Sequence, residues 1–248
     1  MTARKPGGHS AGGTSPSEGQ SPAPGGASRR LVAQQRGDWR VYVLTAGPEQ
    51  ARGRSHVEIA EAAILGGATA VQLRMKDAPA RTMLDTAREI AWRCREAGVT
   101  FIVNDRVDVA LASGADGVHV GQDDLPAADA RALLGTPPFL GVSAATVDEA
   151  AAAARGGADY LGVGALYSTA TKADAGAAVG PARIAEMVAS CDLPIVGIGG
   201  ITAENAAEVI RAGASGVAVI TAVTMADDMA DATRRLRQAV DRARGASV

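Results

Sequence analysis

The chain has 248 residues, 47% of them hydrophobic, with 25 Lys plus Arg against 27 Asp plus Glu and a formal net charge of −2. That length and apolar content support one large α/β domain, and the near-balanced charge gives no whole-surface reason to bind nucleic acid or an acidic membrane, so an anion site must be local. Cys94 and Cys191 are too few and too isolated for a disulfide framework or a zinc site; Cys94 reads as a small buried apolar residue in a helix, and the compartment as reducing cytosol.

Residues 1–36 are rich in Gly, Ser, Pro and Ala and nearly free of large apolar side chains. Such a segment cannot bury enough surface to offset chain entropy, so a disordered tail is expected, with the folded domain over 37–248. Arg4 and Lys5 are followed by no apolar run of signal-peptide type. No stretch approaches the roughly 20 apolar residues of a membrane span, and a cytoplasmic protein with no membrane partner is expected.

A weak internal repeat then organises the chain. Gly67-Ala68, Gly114-Ala115, Gly157-Ala158 and Gly213-Ala214 each precede an apolar run, at Val71, Val118, Leu161 and Val217. The glycine suits the left-handed residue that ends a helix. The repeats lie about two strand–helix units apart, so each interval should hold one more strand; residues 41–44, 99–103, 139–142 and 195–197 fill those places, which makes eight. Helical patterns fall between them at 57–65, 80–96, 107–113, 127–134, 147–155, 181–190, 203–212 and 229–243. Thr202 stands as a cap before Ala203, Pro181 suits a first helical turn, and the last helix runs from acidic Asp231 to basic Arg242 and Arg244. Eight alternations predict an α/β (β/α)₈ TIM barrel. A Rossmann sheet would need a Gly-x-Gly-x-x-Gly fingerprint after the first strand, and Thr45-Ala46-Gly47-Pro48 does not supply it.

The strands end in polar payloads, which in parallel barrels converge on one mouth. Gln72, Arg74 and Lys76 alternate, so on a strand they share a face and leave the barrel top together; Arg offers a planar fork to phosphate and Lys a compact charge. The alternative is an interior salt-bridge network with acidic neighbours. Asn104-Asp105 closes the third strand and Gln122-Asp123-Asp124 follows the fourth, a sparse set of hard oxygen donors that fits magnesium shared with a diphosphate. Asp105 could instead cap the helix that starts near Arg106, and Asp123 or Asp124 the one that begins near Pro126.

Gly156 to Gly180 departs furthest from regularity, and its Tyr167-Ser168-Thr169-Ala170-Thr171-Lys172 stretch reads either as a lid bringing a third cation, Lys172, to the mouth or as a surface turn. Gly199-Gly200 after the seventh strand and Ile220-Thr221 after the eighth have the form of a phosphomonoester grip built on bare glycines and backbone N–H groups. Two phosphate-bearing ligands at one mouth point to a condensation. His119 reads as a polar core or pocket-lining residue, and Ser143, with no Gly-x-Ser-x-Gly elbow around it, as a hydrogen-bonding group for a ligand.

From about residue 41 to about residue 222 these segments resemble the thiamine phosphate synthase family. Its motifs appear as Gln72 to Lys76, Asn104-Asp105, His119 to Asp124, Gly141 to Ser143, Thr169 to Lys172, and Gly197 to Ile201. Two positions depart from the family pattern: Met75 stands where it usually has Glu or Asp, and Thr221 where it often has Ser. The resemblance implies a TIM barrel that joins hydroxymethylpyrimidine diphosphate to hydroxyethylthiazole phosphate, with Mg²⁺ as cofactor and small-molecule substrates as partners, the question of a homo-oligomer staying open.

Carried over by residue, Arg74, Lys76, Asn104 and Lys172 bind diphosphate, with Arg74, Lys76 and Lys172 as the catalytic cations, and Asp105 and Asp124 hold magnesium. Gln72 and Ser143 contact the pyrimidine side. Thr169, Thr171, Gly200, Ile220 and Thr221 bind the thiazole phosphate. The rival readings are a thiazole tautomerase of the same fold and a non-catalytic sensor of phosphate ligands.

Overall fold

The computed structural model describes Met1 and residues 37–168 and 178–245. Contacts divide the chain into Met1–Gln34 and Gln35–Val248. Apart from Met1, the tail reading of residues 1–36 lies outside the described residues, as do the expectations for Thr169, Thr171 and Lys172.

Eight parallel strands, β1 (Val41–Leu44), β2 (Ala70–Leu73), β3 (Thr100–Asn104), β4 (Gly117–Val120), β5 (Phe139–Ser143), β6 (Tyr160–Val163), β7 (Ile195–Ile198) and β8 (Gly216–Val219), pair in sequence order and close on themselves. Closure is made by β1 and β8, where Val41 faces Val217 and Val43 faces Val219. The expected TIM barrel is the observed one.

The helices are α1 (His56–Leu65), α2 (Ala80–Ala97), α3 (Val107–Ser113), α4 (Ala127–Leu134), α5 (Val147–Arg155), α6 (Ala182–Ser190), α7 (Ala206–Arg211), a short α8 (Thr221–Thr224) and α9 (Met229–Gly245), with a 3₁₀ turn at Pro48–Gln50. α2 buries Met83, Ala87, Ile90, Ala91 and Cys94, the spacing of one helical face. Ser55 and Glu58 form a reciprocal capping box that starts α1. All four repeat glycines, Gly67, Gly114, Gly157 and Gly213, have positive φ, which is why this position is held by a residue without Cβ.

Period-two alternation sorts the side chains into two apolar layers. Val41, Val43, Val71, Leu73, Phe101, Val103, Leu140 and Leu161 point outward beneath the helices. Trp39, Tyr42, Ala70, Ile102, Tyr160, Val196 and Ala218 fill the barrel interior. Complete burial of a side chain such as Ile90 or Phe101 contributes roughly 1.5–3 kcal/mol. Trp39 lies stacked on Tyr160, 4.0 Å between ring centroids, and meets Phe139 edge-on at 5.4 Å. Among the described residues no helix is long and apolar enough to cross a membrane.

Two expectations need correction. The regular helix near residue 203 begins only at Ala206, because the Asn205 side chain accepts the Thr202 N–H at 2.8 Å and the intervening residues form turns. β2 stops at Leu73, so Gln72 is on the strand while Arg74 and Lys76 follow it in the loop. The Arg74 N–H bonds the Thr45 hydroxyl, 3.1 Å away on the segment after β1.

Candidate active site

The carboxyl ends of the strands open on two adjoining cavities. One, of about 300 Å³, brings together Gln72, Arg74, Lys76, Asn104, Asp105, Asp124 and Ser143 from four strand ends. The other, of about 230 Å³, is bordered by Ser143, Gly199, Gly200, Ile220 and Thr221. Gln122, Ser143, Gly162, Ile198 and Ala218 border both. All expected site residues within the described regions therefore meet at one mouth.

Among the described residues neither Arg74 nor Lys76 forms an ion pair, so the salt-bridge alternative does not hold. Met75 turns away and packs on the outer apolar layer.

The helix-cap alternative fails too: α3 is preceded by Arg106 and α4 by Pro126, and neither helix start has a side-chain cap. Asp105 sits at the apex of a three-residue turn in which the Arg106 N–H bonds the Asn104 carbonyl at 2.7 Å. Its φ of 64° is a left-handed value costly for a residue with a Cβ. Asp124 accepts the Gly121 N–H at 2.7 Å, which fixes the loop after β4.

Burial, a hydrogen bond with the Asp124 side chain and repulsion from that carboxylate together push the Asp105 carboxyl up to about 6, against the opposing pull of Lys76 and Arg74. Two carboxylates forced together in a half-buried place, where Lys76 and Arg74 offset their repulsion only in part, suit a divalent cation. Among the described residues no group of three or more His, Cys, Asp or Glu gathers around a common point. A metal here would thus complete its shell with ligand oxygens and water, as magnesium does in phosphate sites.

The second cavity is shaped by bare backbone. Gly200 has a φ of 65°, and a Cβ there would lie 2.7 Å from the Ser168 carbonyl oxygen and 2.8 Å from the Tyr167 Cβ. The loop after β6 is anchored at both described ends. Leu166 and Tyr167 donate to the Ile198 and Gly199 carbonyls, and Val179 and Gly180 return to the Ala165 and Leu166 carbonyls. Ser168, the last described residue before Thr169, therefore lies against Gly200.

Four positions in or beside the site escaped the sequence reading. Tyr42 and Tyr160 meet inside the barrel with their hydroxyl oxygens 3.0 Å apart. Gln72 Nε2 donates to Tyr42 at 2.8 Å, and His119 spans from Tyr160 at 3.1 Å to the Ser143 hydroxyl at 3.0 Å. The Thr45 hydroxyl accepts the Arg74 backbone N–H and is itself hydrogen-bonded to His56. Only the pocket-lining reading of His119 was legible.

Fold and mouth define a (β/α)₈-barrel protein with two adjoining cavities, one lined by cations and paired carboxylates and the other by bare glycine backbone. Residues 41–223 match the family model for thiamine monophosphate synthase. The chain is 53% identical over 207 residues to the thiamine-phosphate synthase of Moorella thermoacetica, covering 84% of this chain and 98% of that one. It is 55% identical over 204 residues to that of Chloroflexus aurantiacus, covering 82% and 93%. The solved thiamine phosphate pyrophosphorylase from Pyrococcus furiosus matches with a TM-score of 0.77 at 38% identity, covering 84% and 98%. The chain belongs to the thiamine monophosphate synthase family.

Proposed function

We propose that this chain is a transferase that condenses hydroxymethylpyrimidine diphosphate with hydroxyethylthiazole phosphate to give thiamine phosphate and diphosphate. The observation that carries the reading is the pair of adjoining cavities sharing Ser143, one holding cations and paired carboxylates and the other a glycine cradle.

Arg74, Lys76 and Asn104 bind the diphosphate, joined by Lys172 from the loop after β6. Asp105 and Asp124 would hold a magnesium ion, which when bound supplies neutralisation of the diphosphate's charge. The bond between the pyrimidine methylene carbon and the diphosphate oxygen breaks, and its electron pair leaves with the oxygen toward Arg74, Lys76 and Lys172. The aminopyrimidine ring, held by Gln72 and Ser143, delocalises the resulting methylene cation. Gly200, Ile220, Thr221, Thr169 and Thr171 fix the thiazole phosphate so that the ring nitrogen faces that carbon, and its lone pair forms the new C–N bond. No proton moves, and no protein nucleophile or general base is needed.

A tautomerase needs only the phosphate cradle, and a sensor needs no turnover. The retained cations and paired carboxylates favour the synthase over both. A coupled assay for released diphosphate tests the reading: release that requires both substrates together supports it, whereas release from the pyrimidine substrate alone, or none with both present, rejects it.

A further inference from the structure

The interior hydrogen bonds form one unbroken chain. It runs from Gln72 Nε2 to the Tyr42 hydroxyl (2.8 Å), to the Tyr160 hydroxyl (3.0 Å), to His119 Nδ1 (3.1 Å), and from His119 Nε2 to the Ser143 hydroxyl (3.0 Å). All five residues border the cavity that holds Arg74, Lys76 and the paired carboxylates.

The packing around the chain is built to admit it. A Cβ at Gly141 would lie 2.3 Å from the Tyr160 hydroxyl and 2.4 Å from His119 Nδ1, and one at Gly162 would lie 3.0 Å from His119 Cε1. Trp39 is stacked on Tyr160 and holds its ring from below. Burial raises both phenols far above neutral pH, so each keeps its single proton.

A row of single-proton donors has one direction at a time, set at its ends. The Gln72 amide donates into the row, and only the direction in which Tyr42 donates to Tyr160 and Tyr160 to His119 Nδ1 gives each buried phenol proton an acceptor within it. In that direction Nδ1 of His119 accepts and Nε2 is the nitrogen that donates to Ser143. The Ser143 hydroxyl keeps its own proton for a ligand. At the other end Gln72 Oε1 is buried with no partner among the described residues, an acceptor whose desolvation is uncompensated until a ligand N–H arrives.

We infer that Tyr42, Tyr160 and His119 are specificity-determining positioning residues: they lock Gln72 as acceptor and Ser143 as donor, the polarity that an aminopyrimidine edge requires and an oxopyrimidine edge opposes. An aminopyrimidine presents an amino donor beside a ring-nitrogen acceptor. Its oxo counterpart presents a carbonyl acceptor beside a ring N–H donor. The inference rests on the pyrimidine half of the proposed reaction.

Calorimetric titration of the full chain with the 4-aminopyrimidine diphosphate and its 4-oxo analogue, in magnesium, tests it. The wild type should prefer the amino compound on the order of 100-fold, because the wrong edge leaves buried polar groups unpaired. Tyr160→Phe cuts the row and frees both ends to reorient, so the preference should fall on the order of tenfold with thiazole-phosphate affinity unchanged. Tyr42→Phe cuts it one step earlier and serves if the first variant does not fold. A merely structural role would weaken both compounds equally. An unchanged amino-to-oxo ratio in a folded variant, or no preference in the wild type, overturns the inference even if thiamine phosphate is formed. Selective binding with no thiamine phosphate overturns the reaction instead.

Discussion

The Thr45 hydroxyl oxygen stands 2.7 Å from Nδ1 of His56. The same oxygen accepts the Arg74 N–H, so one buried threonine couples a helix-start imidazole to a loop cation at the mouth. Burial lowers the His56 pKa, which favours the neutral ring beside the Thr45 hydroxyl.

That coupling sets a pH dependence. The folded-state pKa lies below the ordinary value of 6.5, so the unfolded chain binds more protons in the window between the two. The His56 contribution to stability is complete above about pH 6.5 and is lost as pH falls through the folded value. Urea midpoints measured from pH 8 to 5 should fall less steeply in His56→Gln than in the wild type; identical slopes would contradict this. Thr45→Val should cost about 1 kcal/mol at pH 7.5 in the same assay.

The facing Asp105 and Asp124 carboxylates repel each other when no cation lies between them. Asp105→Asn should therefore raise the melting temperature of the metal-free protein, by roughly 2–4 °C, and abolish the further rise that magnesium gives the wild type. Differential scanning calorimetry with and without magnesium checks both. A lower metal-free melting temperature, or a retained magnesium response, would show that this pair does not hold the metal.

Gly200→Ala places a Cβ against the Tyr167–Ser168 backbone at a φ of 65°. The cradle should open and the KM for the thiazole phosphate should rise on the order of tenfold, with the pyrimidine-diphosphate KM little changed. Steady-state kinetics with each substrate varied in turn separates the two. An equal rise in both would place Gly200 outside the thiazole-phosphate pocket.

The strand–helix alternation was legible because Gly-Ala repeats and period-two apolar runs are local signals. The polar payloads were legible because each sits one or two residues beyond a strand. What stayed hidden depends on contacts distant in sequence. β2 ends at Leu73 because Thr45 takes the next N–H. Tyr42 and Tyr160 read as ordinary strand residues until closure of the barrel brings their hydroxyls together. The left-handed Asp105 has no sequence signature, since aspartate tolerates positive φ better than most residues with a Cβ yet seldom adopts it. α8 spans only Thr221–Thr224, too short to show helical periodicity.

The most direct test of the central claim is mass spectrometry of one reaction mixture containing the protein, magnesium, hydroxymethylpyrimidine diphosphate and hydroxyethylthiazole phosphate. Thiamine phosphate and diphosphate should form in equal amounts, with neither formed when either substrate is withheld. Saturating substrates and magnesium that yield no thiamine phosphate, or an isomerised thiazole phosphate made without the pyrimidine, would contradict it.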